Sequence, residues 1–119
     1  MSLYITSLNS GSNGNCYYVG NDEEAVLVDV GISCREVEIR LKQLGLSITK
    51  VKAIFISHEH SDHVRGIPVL AAKYSLPVYV TTSTLRNCRF RLEKRLIHNF
   101  QSNLPVSIGG LSITPFPKL

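Results

Sequence analysis

Apolar and polar positions along the chain follow two periods in turn. Residues 4–8 read as a strand, and the polar, glycine-bearing run Asn9-Ser10-Gly11-Ser12-Asn13-Gly14-Asn15 reads as a loop. Residues 16–19 and 25–30 read as two further strands, with Gly20-Asn21-Asp22-Glu23 as the hairpin connection between them. The chain therefore opens on a small antiparallel sheet. The period then lengthens: Val37, Leu41 and Leu44 recur on one helical face. Ser33 and Glu36 form a capping box, Ile32 and Val37 a hydrophobic staple, and Gly45 supplies a left-handed stop.

The run Val51-Lys52-Ala53-Ile54-Phe55-Ile56-Ser57 is β-rich and apolar and predicts a strand buried on both faces. A helix is expected over 67–74, with Pro68 tolerated in its first turn, then a strand over 77–81. A longer helix is expected over 83–95, started by a Thr/Ser-rich cap. Residues 106–108 and 111–116 bracket Gly109-Gly110, a two-residue hairpin signal. Helices alternating with strands after an antiparallel start predict an α/β (α+β) fold, a mixed sheet with helices packed on one face. At 119 residues the chain has the size of a single domain.

Composition narrows the class. Hydrophobic residues make up 44% and charged residues 18%, too apolar for a disordered chain. No apolar run approaches the roughly 18 residues of a membrane span, and no signal-peptide pattern opens the chain, so a cytoplasmic protein is expected. Cys16, Cys34 and Cys88 are too scattered for a disulfide scaffold and form no paired zinc signature; they read as reduced thiols. The net charge of +4 hints at an anionic partner. Arg86, Arg89, Arg91, Lys94 and Arg95 either face a phosphate backbone, with Arg86 and Arg89 as candidate substrate contacts, or form a solvated helix face.

Chemistry concentrates in His58-Glu59-His60-Ser61-Asp62-His63. Three of the four histidines of the chain fall within these six positions, directly after a buried strand. Imidazole and carboxylate are the ligands of catalytic zinc, which keeps a coordination position open for water. His58 and His60 are two apart, so in an extended segment both rings leave the same side and close on one ion. Asp62 and His63 lie where the chain turns into the next helix and reach a second. Two adjacent metals clamp an anionic substrate and acidify a bridging water, which makes hydrolysis the reaction class. His98 stands apart and reads as a structural or surface residue.

The pattern H-x-H-x-D-H after a hydrophobic strand resembles the metallo-β-lactamase superfamily, and Ala25-Val26-Leu27-Val28-Asp29-Val30-Gly31 resembles its upstream aspartate-glycine strand. The resemblance implies that Asp29 supports the metal-ligand loop from behind the ligands, although a strand-end acid capping a turn is also open. It assigns His58 and His60 to the first metal and Asp62 and His63 to the second, with Asp62 also orienting or deprotonating the attacking water. The opening glycine loop, together with residues 57–66, is similar to the bacterial YycJ (WalJ) branch, which is grouped with nuclease-like and phosphodiesterase-like members. The loop lines a substrate entrance or is a flexible turn.

These features imply half of an αββα sandwich, with 1–119 as the N-terminal part of a single domain, truncated before the superfamily's third metal-ligand histidine. They imply a metal-dependent hydrolase using a metal-bridging hydroxide on phosphodiester or nucleic-acid substrates, with two divalent ions, zinc or else manganese. Two protein ligands per ion bind zinc weakly, so the isolated chain is expected to be inactive. The unpaired edge of its last strand invites self-association. Thioester hydrolysis is the alternative chemistry, and a non-catalytic binding or assembly module the alternative class. His60 stands where a redox di-iron relative carries glutamate, which counts against that version.

Overall fold

The computed structural model describes residues 2–116. Six strands form one sheet in strictly sequential order: β1 (Tyr4–Asn9), β2 (Cys16–Gly20), β3 (Ala25–Val28), β4 (Val51–Phe55), β5 (Val78–Val80) and β6 (Ile97–Asn99). The first three pair antiparallel through tight connections. From β3 onward the pairing is parallel, because a longer crossover separates each strand from the next. A separate two-stranded ribbon joins β7 (Val106–Ile108) to β8 (Leu111–Ile113) antiparallel.

The helices α1 (Cys34–Gln43) and α3 (Ile67–Tyr74) cover one face of the sheet, where Val37, Leu41, Ile67 and Leu70 pack with Leu27, Ile54 and Val78. On the opposite face Val26, Ala53, Phe55 and Phe100 form a second cluster, closed by Leu111 and Ile113 of the ribbon. The expected mixed sheet with helices on one face is what the chain forms, and β4 is buried at every position except Lys52.

Local signals set α1. The Ser33 side chain accepts the Glu36 N–H at 3.1 Å. The reciprocal half of the capping box is replaced by an ion pair between Glu36 and Arg40. Gly45 at φ 71° ends the helix, with Leu46 N–H donating to Leu41 and Gly45 N–H to Lys42. Leu44 caps the helix and is half exposed, so it does not extend the buried stripe.

The helix expected over 83–95 is shorter. The helix α4 (Thr82–Asn87) is capped by the Thr81 side chain, and the chain is extended from Cys88, at φ −75° and ψ 134°. Cys88, Phe90 and Leu92 then turn inward while Arg89, Arg91 and Glu93 turn outward, a period of two rather than 3.6. A 3₁₀ turn at Lys94–Leu96 leads into β6, a strand that falls outside every strand expected from the sequence. The strand expected over 111–116 stops at Ile113 and pairs with β7, and residues 117–119 lie outside the described residues.

Glu24 ties the ribbon to the β2–β3 hairpin. Its Oε1 accepts the Asn21 side-chain amide at 2.9 Å and the Gly110 N–H at 2.5 Å. These two donors hold its carboxyl below the ordinary value of 4.5. A group whose pKa is depressed on folding stabilises above its unfolded pKa, and that contribution disappears as pH falls through the depressed value. Ribbon docking is therefore expected to weaken on acidification below pH 4.5. The Gly110 amide proton shift should follow that titration, and Glu24→Gln should abolish its pH dependence.

Candidate metal centre

The site is assembled where β3 and β4 end side by side. Strand β3 stops at Val28 because Asp29 takes φ 64°, a left-handed conformation that Asp and Asn tolerate better than most residues. There Asp29 N–H donates to Phe55 O at 2.8 Å, which sets its carboxylate across the end of β4. Asp29 is 2% exposed. Its Oδ1 accepts the Ser57 N–H at 2.7 Å, and its Oδ2 accepts the Ser57 hydroxyl and lies 2.7 Å from His63 Nδ1. The same Ser57 hydroxyl is 2.8 Å from His58 Nδ1.

These contacts orient both rings. A carboxylate accepts and does not donate, so His63 Nδ1 carries the hydrogen and Nε2 the lone pair. Ser57 gives its single hydrogen to Asp29 and accepts from His58 Nδ1–H, which leaves the basic nitrogen of His58 at Nε2 as well. The two rings lie 4.5 Å apart between centroids. Donor atoms of Asp29, His58 and His63 all fall within 4.8 Å of one another. Both Asp29 oxygens are already engaged, Oδ1 by Ser57 and Oδ2 by Ser57 and His63.

On the other side of His63, Nε2 lies 3.8 Å from Asp62 Oδ2. Two ligands at roughly 2.0–2.2 Å on a tetrahedral ion stand about 3.3–3.6 Å apart, so this pair fits one divalent cation with a small closing movement. The motif backbone is clasped by two other segments: Asn15 N–H donates to Asp62 O at 2.6 Å, Val30 N–H to His63 O at 2.8 Å, and Gly31 N–H to Asn15 O at 2.8 Å. The Asn15 side-chain amide lies 3.4 Å from Asp62 Oδ2 and 3.5 Å from His63 Nε2. Sequence reasoning misses Asn15 and Ser57; a polar residue closing a glycine loop and a serine before a histidine are too common to signal a role. The glycine loop is accordingly fastened to the motif at Asn15, while residues 10–13 are exposed.

His60 does not join His58. It is the N-cap residue of the short helix α2 (Ser61–Val64), and its carbonyl accepts the His63 N–H at 2.8 Å. The backbone is still extended at His60, at φ −68° and ψ 148°, and the helix begins at Ser61; His58 lines one cleft, of about 640 Å³, and His60 a second, of about 470 Å³. Arg89 lines the second cleft, whereas Arg86, exposed in the last turn of α4, lines neither. His98, in β6, lies against the Tyr79 ring of β5 with the two rings tilted, apart from the centre. All three cysteines are free thiols, and burial pushes Cys16 up to about 12.

An α/β sheet that presents histidines and aspartates from its strand ends, with a buried carboxylate behind them, defines a metallohydrolase-type architecture. Residues 10–113 match the profile of the metallo-beta-lactamase superfamily, and the chain belongs to that superfamily. It is 50% identical over 84 residues to exodeoxyribonuclease YycJ of Bacillus anthracis, covering 71% of this chain and 32% of that protein. Against exodeoxyribonuclease WalJ of Streptococcus pneumoniae it is 32% identical over 114 residues, 92% of this chain and 42% of the other. The chain thus spans less than half the length of these curated relatives. A subclass B3 metallo-beta-lactamase isolated from a soil metagenome library shares the fold, with a TM-score of 0.73 at 21% identity over 92% of this chain and 48% of that one. Among the described residues no helix is long and apolar enough to cross a membrane.

Proposed function

We propose that this chain supplies the front of a divalent-metal centre in a hydrolase that cleaves phosphodiesters of nucleic acid. The observation that carries the reading is His63, fixed by Asp29 at Nδ1 and facing Asp62 at Nε2. The nuclease names of the relatives favour nucleic acid as the substrate. The donors are His58, His63 and Asp62, with His60 as the fourth, brought in from the second cleft. Two divalent ions, zinc or else manganese, would be held by these residues and would supply Lewis acidity toward phosphate and water. The residues of the chain do the rest. Asp29 and Ser57 hold both imidazoles in the tautomer that offers Nε2. Asp62 orients the attacking water, or takes its proton, through the carboxylate oxygen that does not face His63, and Asn15 keeps that carboxylate in place. The setting is cytoplasmic, in keeping with three unpaired thiols. The outer edge of β8 remains a place where a second copy or another chain pairs.

The test is metal content and turnover of the protein expressed from its complete reading frame. His58→Ala and His63→Ala should each lower bound zinc or manganese, and should cut cleavage of a labelled single-stranded oligonucleotide by about 100-fold or more. Undiminished cleavage in both variants, or hydrolysis of a thioester in place of the oligonucleotide, would overturn the reading.

A further inference from the structure

The second cleft sits beside the centre and is built differently from the first. Glu59 and Asn87 line both, so the two clefts meet along the motif peptide, with His58 on one side and His60 on the other. The first is walled largely by apolar and hydroxyl side chains such as Phe55, Phe100, Thr81 and Thr84. Across the second stand Arg65, from the turn after α2, and Arg89, from the extended segment after α4, with the Phe90 ring beside them. Neither arginine has a carboxylate partner among the described residues, although Arg40 and Arg95 are both paired. Phe90 is half-buried: one side packs on the helix-side core and the other borders the cleft.

We infer that the second cleft is a subsite for one nucleotide of an unpaired strand, with Arg65 and Arg89 on its phosphate and Phe90 against its base. This deepens the function proposed above and rests on it. Guanidinium forks match phosphate oxygens in geometry and charge. An aromatic face held by the core offers a stacking surface that any unpaired base fits, whereas a base inside a duplex is already stacked on its neighbours. The Glu59 carboxylate at the junction repels phosphate, which directs the anion to the arginine side and leaves the junction to sugar or base. The strand would thus continue from the motif into the second cleft, and the subsite selects single-stranded over double-stranded substrate.

Binding can be read without the metal. Fluorescence anisotropy with a labelled oligothymidylate in EDTA reports strand binding without the metal, so its outcome is separable from metal content and cleavage. The double variant Arg65→Gln/Arg89→Gln should weaken binding about tenfold and reduce the slope of log K against log salt by about 0.7 for each phosphate that is no longer neutralised. Phe90→Leu should weaken it about tenfold, and Phe90→Trp should retain it. Circular dichroism melts establish that each variant is folded; both arginines are exposed, so their variants keep the core intact. The proposal is overturned if the double arginine variant keeps full affinity and salt slope, if Phe90→Leu binds like Phe90→Trp, or if a duplex of equal length binds as tightly as the single strand.

Discussion

Asp29→Asn is expected to lower zinc affinity by about 10–100-fold while leaving the folding midpoint almost where it was. The substitution keeps the shape of the side chain, and asparagine accepts the φ of 64° that the site requires. Its Oδ1 still accepts the Ser57 N–H. The change falls on Oδ2, which becomes an NH2 group that donates to Ser57 and to His63 Nδ1. His63 satisfies that donor by moving its hydrogen to Nε2, the nitrogen that faces Asp62 at 3.8 Å. Ser57, now accepting from the new side-chain amide, turns its hydrogen to His58 Nδ1, which moves the His58 hydrogen to Nε2 as well; with the buried hydrogen bonds re-formed in this way the stability cost is about 1 kcal/mol. The lone pair that would bind the ion is lost.

Nitrogen chemical shifts of the His63 ring separate this account from a structural one. The parent should show the tautomer protonated at Nδ1 and Asp29→Asn the tautomer protonated at Nε2. Unchanged zinc affinity in a variant whose tautomer has switched would refute the positioning role of Asp29. Asp29→Ala is the poorer probe, since alanine is strained at that φ and leaves a void.

How much of the molecule is legible in the sequence depends on the range of the interaction concerned. Helix α1 is legible because Ser33, Glu36 and Gly45 act within one or two turns of their own positions. The motif is legible as chemistry, yet its geometry is only half legible: extended spacing puts His58 and His60 on one side, but they line different clefts, and the chain turns into α2 from Ser61. That turn depends on Asp62 and His63 being held by Asn15 and Val30, contacts that span more than thirty positions. The segment 88–93 misleads for a different reason. Cys88-Arg89-Phe90-Arg91-Leu92-Glu93 alternates strictly, the signature of extended chain, but its density of basic residues also suits a solvated helix face. Strand β6 is only three residues long, too short for any period, and it exists because β5 offers it a parallel partner.

Gly31→Ala is expected to be the most damaging single methyl in the described chain, at about 4 kcal/mol. A Cβ there would lie 1.8 Å from Asp62 O and 2.6 Å from Asn15 N, and both are backbone atoms that cannot swing away. Relief requires the motif and the glycine loop to separate by more than an ångström. That movement breaks the bonds from Asn15 to Asp62, Gly31 to Asn15 and Val30 to His63, each worth about 1 kcal/mol, on top of roughly 1–3 kcal/mol for overpacking. Against a total stability of about 5–15 kcal/mol this is a large fraction, and the melting midpoint should fall by about 15 °C. Gly45→Ala provides the comparison: at φ 71° it meets nothing within 4 Å, so only the left-handed backbone cost of about 1–2 kcal/mol applies. Thermal denaturation of the two variants side by side decides the matter, because a Gly31→Ala midpoint at or above that of Gly45→Ala would mean that the three segments are not in van der Waals contact. Since the displaced carbonyl belongs to Asp62, zinc affinity should fall with stability in Gly31→Ala. In Gly45→Ala it should not change.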